Sequence, residues 1–315
     1  MLPFARVTII GLGLIGSSVA RAIQAAMPTV RVTGYDADDS VRETADRLQF
    51  CDDVADSAGA AVIDADLVIL CVPVGIMGAV AAEFAAELPT DAVVSDVGSC
   101  KAEIVRALTE ALPGATVIPA HPVAGTERSG PEAGFATLFR QRWCIVTPPE
   151  GADPIAVERV SEFWRRLGAQ VETMAPEHHD RVLAVTSHLP HLIAYPIVGT
   201  AGDLEEVTQS EVIKYSAGGF RDVTRIAASD PTMWRDIFLN NRDAVLEMLA
   251  RFSEDLATLQ RAIRWGDGDA LFDLFTRTRA IRRSIVEAGQ DTAVADFGRQ
   301  PIKRETGNGE GEPEA

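Results

Sequence analysis

The feature that most constrains the fold of this chain is a glycine-rich segment near its start. A predicted strand, Arg6–Ile10, runs directly into Gly11-Leu12-Gly13-Leu14-Ile15-Gly16, and a predicted helix, Ser17–Ala26, follows at once. The spacing G-x-G-x-x-G is weak evidence alone, but between a strand and a helix it is typical of a dinucleotide-binding turn. We therefore expect the chain to begin with the strand–turn–helix unit of an α/β domain.

Each glycine of this segment has a separate physical role. Gly11 permits the tight turn, Gly13 lets the backbone approach a pyrophosphate, and Gly16 lets the helix pack closely on the strand. The N-terminus of the helix then offers free N–H groups to phosphate oxygens. The sequence therefore predicts that all six residues of the segment bind the cofactor.

The first half of the chain repeats this alternation of short strands with alanine-rich helices. Near-continuously apolar strands separated by helices indicate a parallel sheet covered on both faces. The fold predicted for this half is a doubly wound α/β domain of the Rossmann type. Its further predicted strands are Val30–Tyr35, Leu67–Val72, Ala92–Asp96 and Thr116–Pro119.

The second half has a different character. After about Met174 the strand signals fade and long amphipathic helices take over. We expect a cofactor-binding Rossmann domain over residues 1–173 and an all-α helical substrate and dimerisation domain over residues 174–300. Residues 301–315 are rich in Gly and Glu, so we expect them to form a disordered acidic tail.

Asp230-Pro231 is typical of an N-cap followed by Pro at the first helical position, and one apolar stripe, long enough for a single helix, follows from there. Its members are Trp234, Phe238, Val245, Leu249, Phe252, Leu256, Leu259 and Ile263. Such a stripe is either internal core or a subunit interface. The interface is favoured, because an all-helical domain of this size has little else to cover the stripe, and so we expect a homodimer.

The carboxylate of Asp36 indicates which dinucleotide is bound. Asp36 lies twenty residues beyond Gly16, where a carboxylate accepts hydrogen bonds from the ribose 2′-OH of NAD. The same charge repels the 2′-phosphate of NADP, so NAD is the expected cofactor; the alternative is that Asp36 only caps a turn. Val72 and Pro73, where another strand ends, are also predicted to line the cofactor site, although an ordinary strand exit would look the same.

Two later strand ends carry groups suited to the oxidation of an alcohol. Residues 95–101 read Ser-Asp-Val-Gly-Ser-Cys-Lys, and residues 121–127 read His-Pro-Val-Ala-Gly-Thr-Glu. An alcohol does not readily surrender a hydride unless its hydroxyl proton also leaves, so we expect a base beside the nicotinamide. His121, with an unperturbed pKa of about 6.5, suits that role, and Ser99 could hydrogen-bond either His121 or the substrate. The alternative is that His121 is a satisfied core histidine.

These segments together resemble the prephenate/arogenate (cyclohexadienyl) dehydrogenase family. The resemblance covers residues from about 5 to 290 in the same order. The second half contributes Ser187-His188-Leu189-Pro190-His191, Gly218-Gly219-Phe220-Arg221-Asp222-Val223-Thr224-Arg225-Ile226-Ala227 and Asp230-Pro231-Thr232-Met233-Trp234. The resemblance implies a Rossmann domain, a helical dimerisation domain, and NAD-dependent oxidation of prephenate or arogenate with loss of CO₂.

The resemblance also implies roles for individual residues. His121 would be the base on the ring 4-hydroxyl, Ser99 would help to orient it, and Arg225 would bind a substrate carboxylate. The residues that would line the rest of the substrate pocket are His191, Glu127 and Gly218.

The chain departs from the family pattern at two positions. Position 221 is Arg where we expect Lys in some relatives, and Ala217 stands before Gly218-Gly219 in place of a third glycine. Arg221 and Arg225 are four residues apart, so on a helix both guanidinium groups would share one face and could bind substrate carboxylates. The alternative for either residue is a surface ion pair with Asp222.

Composition and spacing exclude several other classes of function. The formal net charge of −17 argues against nucleic-acid binding, which needs a basic face. Pro73 and glycines interrupt the apolar run from Leu67 to Ala82, and no signal peptide is recognised, so we expect no membrane segment and a cytoplasmic location. The four cysteines lack metal-ligand spacing and fit a reducing compartment.

The remaining histidines are not expected to bind a metal. His188 and His191 have no carboxylate or cysteine at matching spacing, and Pro190 lies between them. His178 and His179 lie at a predicted helix start and are expected to face solvent.

Two other functions stay open at this point. A β-hydroxyacid dehydrogenase also joins a Rossmann domain to a helical one, but it would carry a key Lys on the first helix of its second domain. Lys occurs here only at positions 101, 214 and 303. A non-catalytic NAD-binding sensor could lose His121 or Arg225 freely, and this chain has both.

Overall fold

The computed structural model describes residues 2–126, 128–205, 214 and 217–287, with the side chains of residues 204 and 205 excepted. By its internal contacts the chain divides into two compact units, Met1–Ala250 and Arg251–Ala315. The predicted domain boundary between residues 173 and 174 lies inside the first unit and stays a prediction. The predicted acidic tail, residues 301–315, lies outside the described residues.

The first unit contains a six-stranded parallel sheet in the order β3-β2-β1-β4-β5-β6. The strands are β1 (Arg6–Ile10), β2 (Arg31–Tyr35), β3 (Asp53–Val54), β4 (Leu67–Leu70), β5 (Val93–Asp96) and β6 (Thr116–Val117). The strand order reverses between β1 and β4, and ligands of doubly wound sheets bind in the crevice at such a point. The predicted Rossmann-type fold is confirmed.

Helices cover both faces of this sheet. They are α1 (Leu14–Ala26), α2 (Asp39–Leu48), α3 (Ala58–Val62), α4 (Met77–Glu83) and α5 (Ala102–Ala111). Strand β4 shows how the two faces are made: Leu67 and Ile69 join one apolar cluster, whereas Val68 and Leu70 join the other. Because side chains alternate along a strand, a fully apolar strand of this kind is buried on both sides.

A second, three-stranded sheet follows, which the sequence did not predict. Its strands are β7 (Ala120–Pro122), β8 (Trp143–Val146) and β9 (Gln170–Thr173), with helix α6 (Pro154–Arg166) between the last two. Strand β7 is antiparallel to β8, and β8 is parallel to β9. The predicted strand Thr116–Pro119 is therefore wrong in its extent, because β6 ends at Val117 and the chain enters the second sheet at Ala120.

The rest of the described chain is helical, as predicted. The elements are α7 (Pro176–Leu183), a π-helical turn (Ala184–His188), α8 (Leu189–Glu205), α9 (Gly218–Thr224), a 3₁₀ turn (Arg225–Ala228), α10 (Pro231–Asn240), α11 (Arg242–Trp265) and α12 (Gly268–Glu287). Asp230 caps α10 by accepting a hydrogen bond from Met233 N at 2.7 Å, and Pro231 occupies the first turn. The predicted N-cap is thus confirmed.

The predicted apolar stripe does not lie on one helix. Asn241 separates α10 from α11, so the stripe is divided between them. Trp234 and Val245 are 5% and 4% exposed, whereas Ile263 is 67% exposed. The beginning of the stripe is therefore core of the first unit, and its far end presents apolar surface.

One helical run among the described residues, Pro176–Asp203, is long and apolar enough to cross a membrane by length and composition. Core helices of globular domains pass the same test. The run carries His179, Asp180 and His188, all buried within the first unit. These three side chains lie on a packed face of the run, although only 22% of its apolar window is buried.

Candidate active site

The glycine-rich turn has the geometry that its sequence predicts. Gly11 has a φ of 97°, and a Cβ added there would lie 2.6 Å from the carbonyl oxygen of Cys71. A Cβ added at Gly16 would lie 1.9 Å from the carbonyl oxygen of Gly11. Both positions therefore require glycine, the first for its φ and its close approach and the second for helix–strand packing.

Gly13 differs from these two because space is open beside it. A Cβ added at Gly13 would meet no atom within 4 Å. Gly13 is also the N-cap of α1, and no side chain caps that helix, so the first N–H groups lack a side-chain acceptor. An open backbone at an uncapped helix N-terminus fits an anionic group such as a dinucleotide pyrophosphate.

Asp36 lies directly against this turn. Its Oδ2 accepts a hydrogen bond from Leu12 N at 2.8 Å, and its Oδ1 accepts one from Asp38 N at 3.0 Å. The carboxylate thus caps a local turn, as the alternative hypothesis predicted. It also lies beside the glycine-rich turn, as ribose binding would require. Val72 is also close, since its Cγ1 lies 3.0 Å from a Cβ added at Gly11.

His121 lies within strand β7 of the second sheet, where it pairs in register with Ile145. Its side chain is buried, and its Nδ1 lies 2.9 Å from Nε2 of His179. The two rings meet edge to face, with centroids 5.1 Å apart. The partner of Nδ1 of His121 is therefore His179 and not Ser99. The alternative role of Ser99, a hydrogen bond from its hydroxyl to the substrate, stays a prediction.

His179 was expected to face solvent, and that expectation is wrong. It is 0% exposed, and its Nδ1 lies 2.8 Å from Oδ1 of Asp180, while its neighbour His178 is exposed as expected. The buried residues of α7 are Pro176, His179, Asp180 and Leu183. Their spacing of three, four and seven is the period of a buried helix face, and this signal could have found His179 in the sequence.

Asp180 is held by the start of α5. Its Oδ1 accepts a hydrogen bond from Lys101 N at 2.8 Å, and its Oδ2 accepts one from Ala102 N at 2.9 Å. Asn241 Nδ2 donates to the carbonyl oxygen of Asp180 at 2.8 Å and also lies 3.0 Å from Nδ1 of His188. The sequence did not single out Asp180 or Asn241, because their partners are distant along the chain.

Burial controls the protonation of these histidines. It lowers the pKa of His121 well below 6.5, and the charges of His179, Lys101 and His188 lower it further. Burial also lowers the pKa of His188 to about 4. Removing charge from water is costly when no counter-charge is adjacent. His121 is therefore neutral at pH 7, which is the form that can accept a proton.

A buried ion pair connects the two sheets next to His121. Lys101 Nζ lies 2.5 Å from Oδ2 of Asp96 and donates to the carbonyl oxygen of Ala120 at 2.8 Å, and both charged side chains are fully buried. Burial raises the pKa of Asp96, and the charge of Lys101 opposes that rise. The ammonium thus ties the end of β5 to the residue before His121, and this fixes the place of the imidazole.

The substrate-side residues are only partly brought together. The ring of His191 stacks on Trp234, with centroids 3.6 Å apart and 22° between planes, and its Nδ1 donates to the carbonyl oxygen of Ser187 at 2.9 Å. Burial lowers the pKa of His191, and the charge of Arg225 lowers it further. The turn that begins at Arg225 packs against α8, the helix that carries His191.

Arg221 and Gly218 are placed differently. The Arg221 side chain is 78% exposed and its Nε lies 3.4 Å from Oδ1 of Asp222, which is the surface ion pair that was the alternative hypothesis. Gly218 is exposed at the start of α9. Glu127 lies outside the described residues. Among the residues that the structure describes, no group of three His, Cys, Asp or Glu side chains could hold a metal ion.

Comparison with known proteins decides the family. The prephenate dehydrogenase nucleotide-binding domain matches residues 19–173, and the prephenate dehydrogenase dimerization domain matches residues 175–277. The chain belongs to the prephenate dehydrogenase family. These two matches together cover most of the chain and confirm the resemblance on which the expected fold and activity rest.

Individual members of the prephenate dehydrogenase family agree with this assignment. A cyclohexadienyl dehydrogenase of Zymomonas mobilis is 45% identical over 285 residues, which are 90% of this chain and 97% of that protein. Prephenate dehydrogenase from A. aeolicus, solved with hydroxyphenyl propionate and NAD+, is 33% identical with a TM-score of 0.84, over 90% of this chain and 98% of that one. Synechocystis arogenate dehydrogenase is 25% identical with a TM-score of 0.75, over 89% and 99%.

Membership of the prephenate dehydrogenase family overturns the β-hydroxyacid dehydrogenase hypothesis. Helix α7, the first helix of the region matched by the dimerization domain, has no Lys. Lys101 is instead fully buried in its ion pair with Asp96.

Proposed function

We propose that this chain is an NAD-dependent dehydrogenase that oxidises prephenate, arogenate or both, with loss of CO₂, in the formation of tyrosine. The observation that carries the proposal is the neutral, buried His121, in a chain 45% identical to a cyclohexadienyl dehydrogenase over almost its full length. A buried, neutral imidazole of this kind supports an enzyme over a protein that only senses NAD.

The cofactor proposal rests on the glycine-rich turn. Bound NAD supplies the acceptor for the hydride that leaves the substrate. The backbone of Gly11–Gly16 would hold the pyrophosphate, and the Asp36 carboxylate would accept hydrogen bonds from the ribose. Val72 and Pro73 would line the same crevice, because they follow the carboxyl end of β4, next to β1.

The proton step belongs to His121. Its imidazole takes the proton of the ring 4-hydroxyl while the hydride leaves the ring carbon that bears this hydroxyl. The C–O group thereby becomes a carbonyl. The bond from the ring to its carboxylate then breaks, CO₂ leaves, and the electron pair of that bond makes the ring aromatic and the oxygen a phenolate. His121 returns the proton to this oxygen, so the product is a phenol and the protein is restored.

Substrate carboxylates would be bound on the side of His191 and Arg225. A guanidinium binds a carboxylate through two parallel N–H bonds. The turn that begins at Arg225 packs against α8, where His191 stacks on Trp234. Arg221 is a weaker candidate, because it is exposed and paired with Asp222. Glu127 and Gly218 remain predicted members of the pocket, and Ser99 a predicted partner of the substrate hydroxyl.

The proposal includes a cytoplasmic homodimer. The matched helical region carries the name of a dimerization domain, and exposed apolar side chains line the described part of the second unit, among them Leu256, Ile263, Phe272 and Phe275. All four cysteines are free, as in a reducing compartment.

Steady-state kinetics test the proposed function directly. Purified protein is assayed with prephenate and with arogenate, each with NAD and with NADP, by following reduced cofactor and released CO₂. We expect equal yields of the two products with at least one substrate and NAD. Absence of reduced cofactor with both substrates would refute the proposal.

A further inference from the structure

We propose that His179 and Asp180 act through His121: they fix the tautomer in which Nε2 of His121 is the base, and they share the proton that it takes. This inference rests on the proposed role of His121 as the base. His179 and Asp180 are positioning residues here, because their polar atoms face His121 and the protein and need not touch substrate.

The tautomers of His179 and His121 follow from the Asp180 carboxylate, which cannot donate a hydrogen bond. The Asp180 carboxylate can only accept, so the 2.8 Å contact requires that Nδ1 of His179 carries a proton. Neutral His179 then has a lone pair on Nε2. The 2.9 Å contact with His121 therefore requires a proton on Nδ1 of His121, and neutral His121 has its lone pair on Nε2.

The far end of this series of contacts is fixed by backbone groups. Lys101 N and Ala102 N each donate to one oxygen of the Asp180 carboxylate, and Asn241 holds its backbone carbonyl. Such contacts keep an acceptor-only carboxylate aimed at His179. A flexible or solvent-facing Asp180 would leave the tautomer of His179, and hence that of His121, undetermined.

The charges around the pair favour a shared proton. When Nε2 of His121 takes the substrate proton, its Nδ1 proton can pass to Nε2 of His179; His121 is then neutral and His179 is the cation. Burial lowers the pKa of both imidazoles, and the positive charge of Lys101 disfavours a cation on either ring. The two rings differ in that Nδ1 of His179 contacts a carboxylate, Asp180 Oδ1 at 2.8 Å, and this contact favours the cation on His179. The reverse transfers return the proton to the phenolate oxygen.

The tautomer can be observed without activity. The chain has five histidines, so imidazole ¹⁵N spectra of histidine-labelled protein can be assigned by single substitutions. Without cofactor or substrate at pH 7, we expect His121 and His179 each to be protonated at Nδ1 and bare at Nε2. A His121 protonated at Nε2 would overturn the proposal.

Kinetics of two variants and a control test the same contact in the working enzyme. His179→Leu removes the acceptor for Nδ1 of His121, whereas His179→Gln retains a carbonyl acceptor that cannot carry the proton. His178→Leu is the matched control, because His178 is the exposed neighbour on the same helix.

We expect His179→Leu to lower kcat about 10–100-fold, by analogy with the partners that orient metal-binding histidines. The Kd of NAD should not change, and His179→Gln should recover part of the loss. If His179→Leu does not fold, His179→Gln decides: the tautomer of His121 should persist and kcat should fall. Wild-type kcat and pH profile in His179→Gln, with His121→Asn inactive, would overturn the shared proton and leave His121 as the base.

Discussion

The Oδ2 atom of Asp36 accepts a hydrogen bond from the backbone N–H of Leu12 at 2.8 Å. The residue proposed to choose between NAD and NADP is thus bonded to the turn proposed to hold the pyrophosphate. Arg42 is close as well, since its Nη1 donates to the carbonyl oxygen of Asp36 at 2.6 Å. The Asp36 carboxylate therefore both sets the charge at the proposed ribose site and supports the conformation of the glycine-rich turn.

Replacing Asp36 should change cofactor preference. In Asp36→Ala, kcat/KM for NAD should fall and the NADP/NAD ratio of kcat/KM should rise, because a charge that repels the 2′-phosphate is lost and Arg42 remains. Asp36→Asn separates charge from shape, since its amide oxygen can still accept from Leu12 N. It should raise the same ratio with a smaller loss for NAD. An unchanged ratio in both variants would remove Asp36 from the ribose.

His121→Asn should reduce kcat by about 10²–10⁴-fold, the usual contribution of general-base catalysis. Asn retains hydrogen-bonding groups and similar bulk but cannot accept the proton, so the fold and the Kd of NAD should be kept. Stopped-flow rates and NAD titration measure the two effects separately. A variant with most of the wild-type rate would return His121 to the class of core histidines.

The pH dependence of kcat/KM should show an acid limb at a pH well below 6.5. Only neutral imidazole accepts a proton, so activity is lost as pH falls through the pKa of His121. Burial lowers that pKa well below 6.5, and the loss moves to lower pH with it. The limb belongs to the coupled His121–His179 pair and should be altered in His121→Asn. A limb centred above 6.5 in the wild type would contradict the assignment.

Arg225→Ala should raise the KM for prephenate strongly and leave the Kd of NAD nearly unchanged. Losing one partner of a buried charge pair typically costs about 2–5 kcal/mol, and we expect the lower end because the Arg225 side chain is exposed in this structure and only bound substrate would bury the pair. Arg221→Ala is the matched control, since an exposed ion pair is worth only about 0–1 kcal/mol. Equal effects of the two substitutions would show that Arg225 has no special contact with substrate.

The protein should be a homodimer in solution. The exposed apolar side chains of α11 and α12 lose contact with water when a second copy covers them. Light scattering coupled to size exclusion should give twice the chain mass at micromolar concentration. A monomer mass under those conditions would rule out this assembly.

The sequence predicts five of the six strands of the parallel sheet, because most of them are rich in apolar residues and the glycine turn marks the first crossover. It misses β3, which has two residues, neither of them buried. It does not predict the second sheet, since β7 has three residues and contains Pro122, and since its partner strands are far along the chain. As a result, His121 was expected at the end of a strand of the main sheet and instead lies inside β7.

Individual residues of the candidate site could be predicted from the sequence, but the hydrogen bonds that connect them could not. His121, Ser99 and Asp36 are marked by local motifs. The contact of His121 with His179 spans 58 positions, and that of Asn241 with Asp180 spans 61. Propensity and spacing along the chain carry no information on such contacts, which depend on how α7 packs against the start of α5.

The π-helical turn Ala184–His188 places one more residue in a turn than an α-helix would. If the same residues formed a regular α-helix, everything after the turn would rotate by about 100°, since an α-helix has about 3.6 residues per turn. The ring of His191 would then leave Trp234. A regular α-helix would be the more stable secondary structure, so selection for thermal stability alone would favour loss of the orientation that His191 has here.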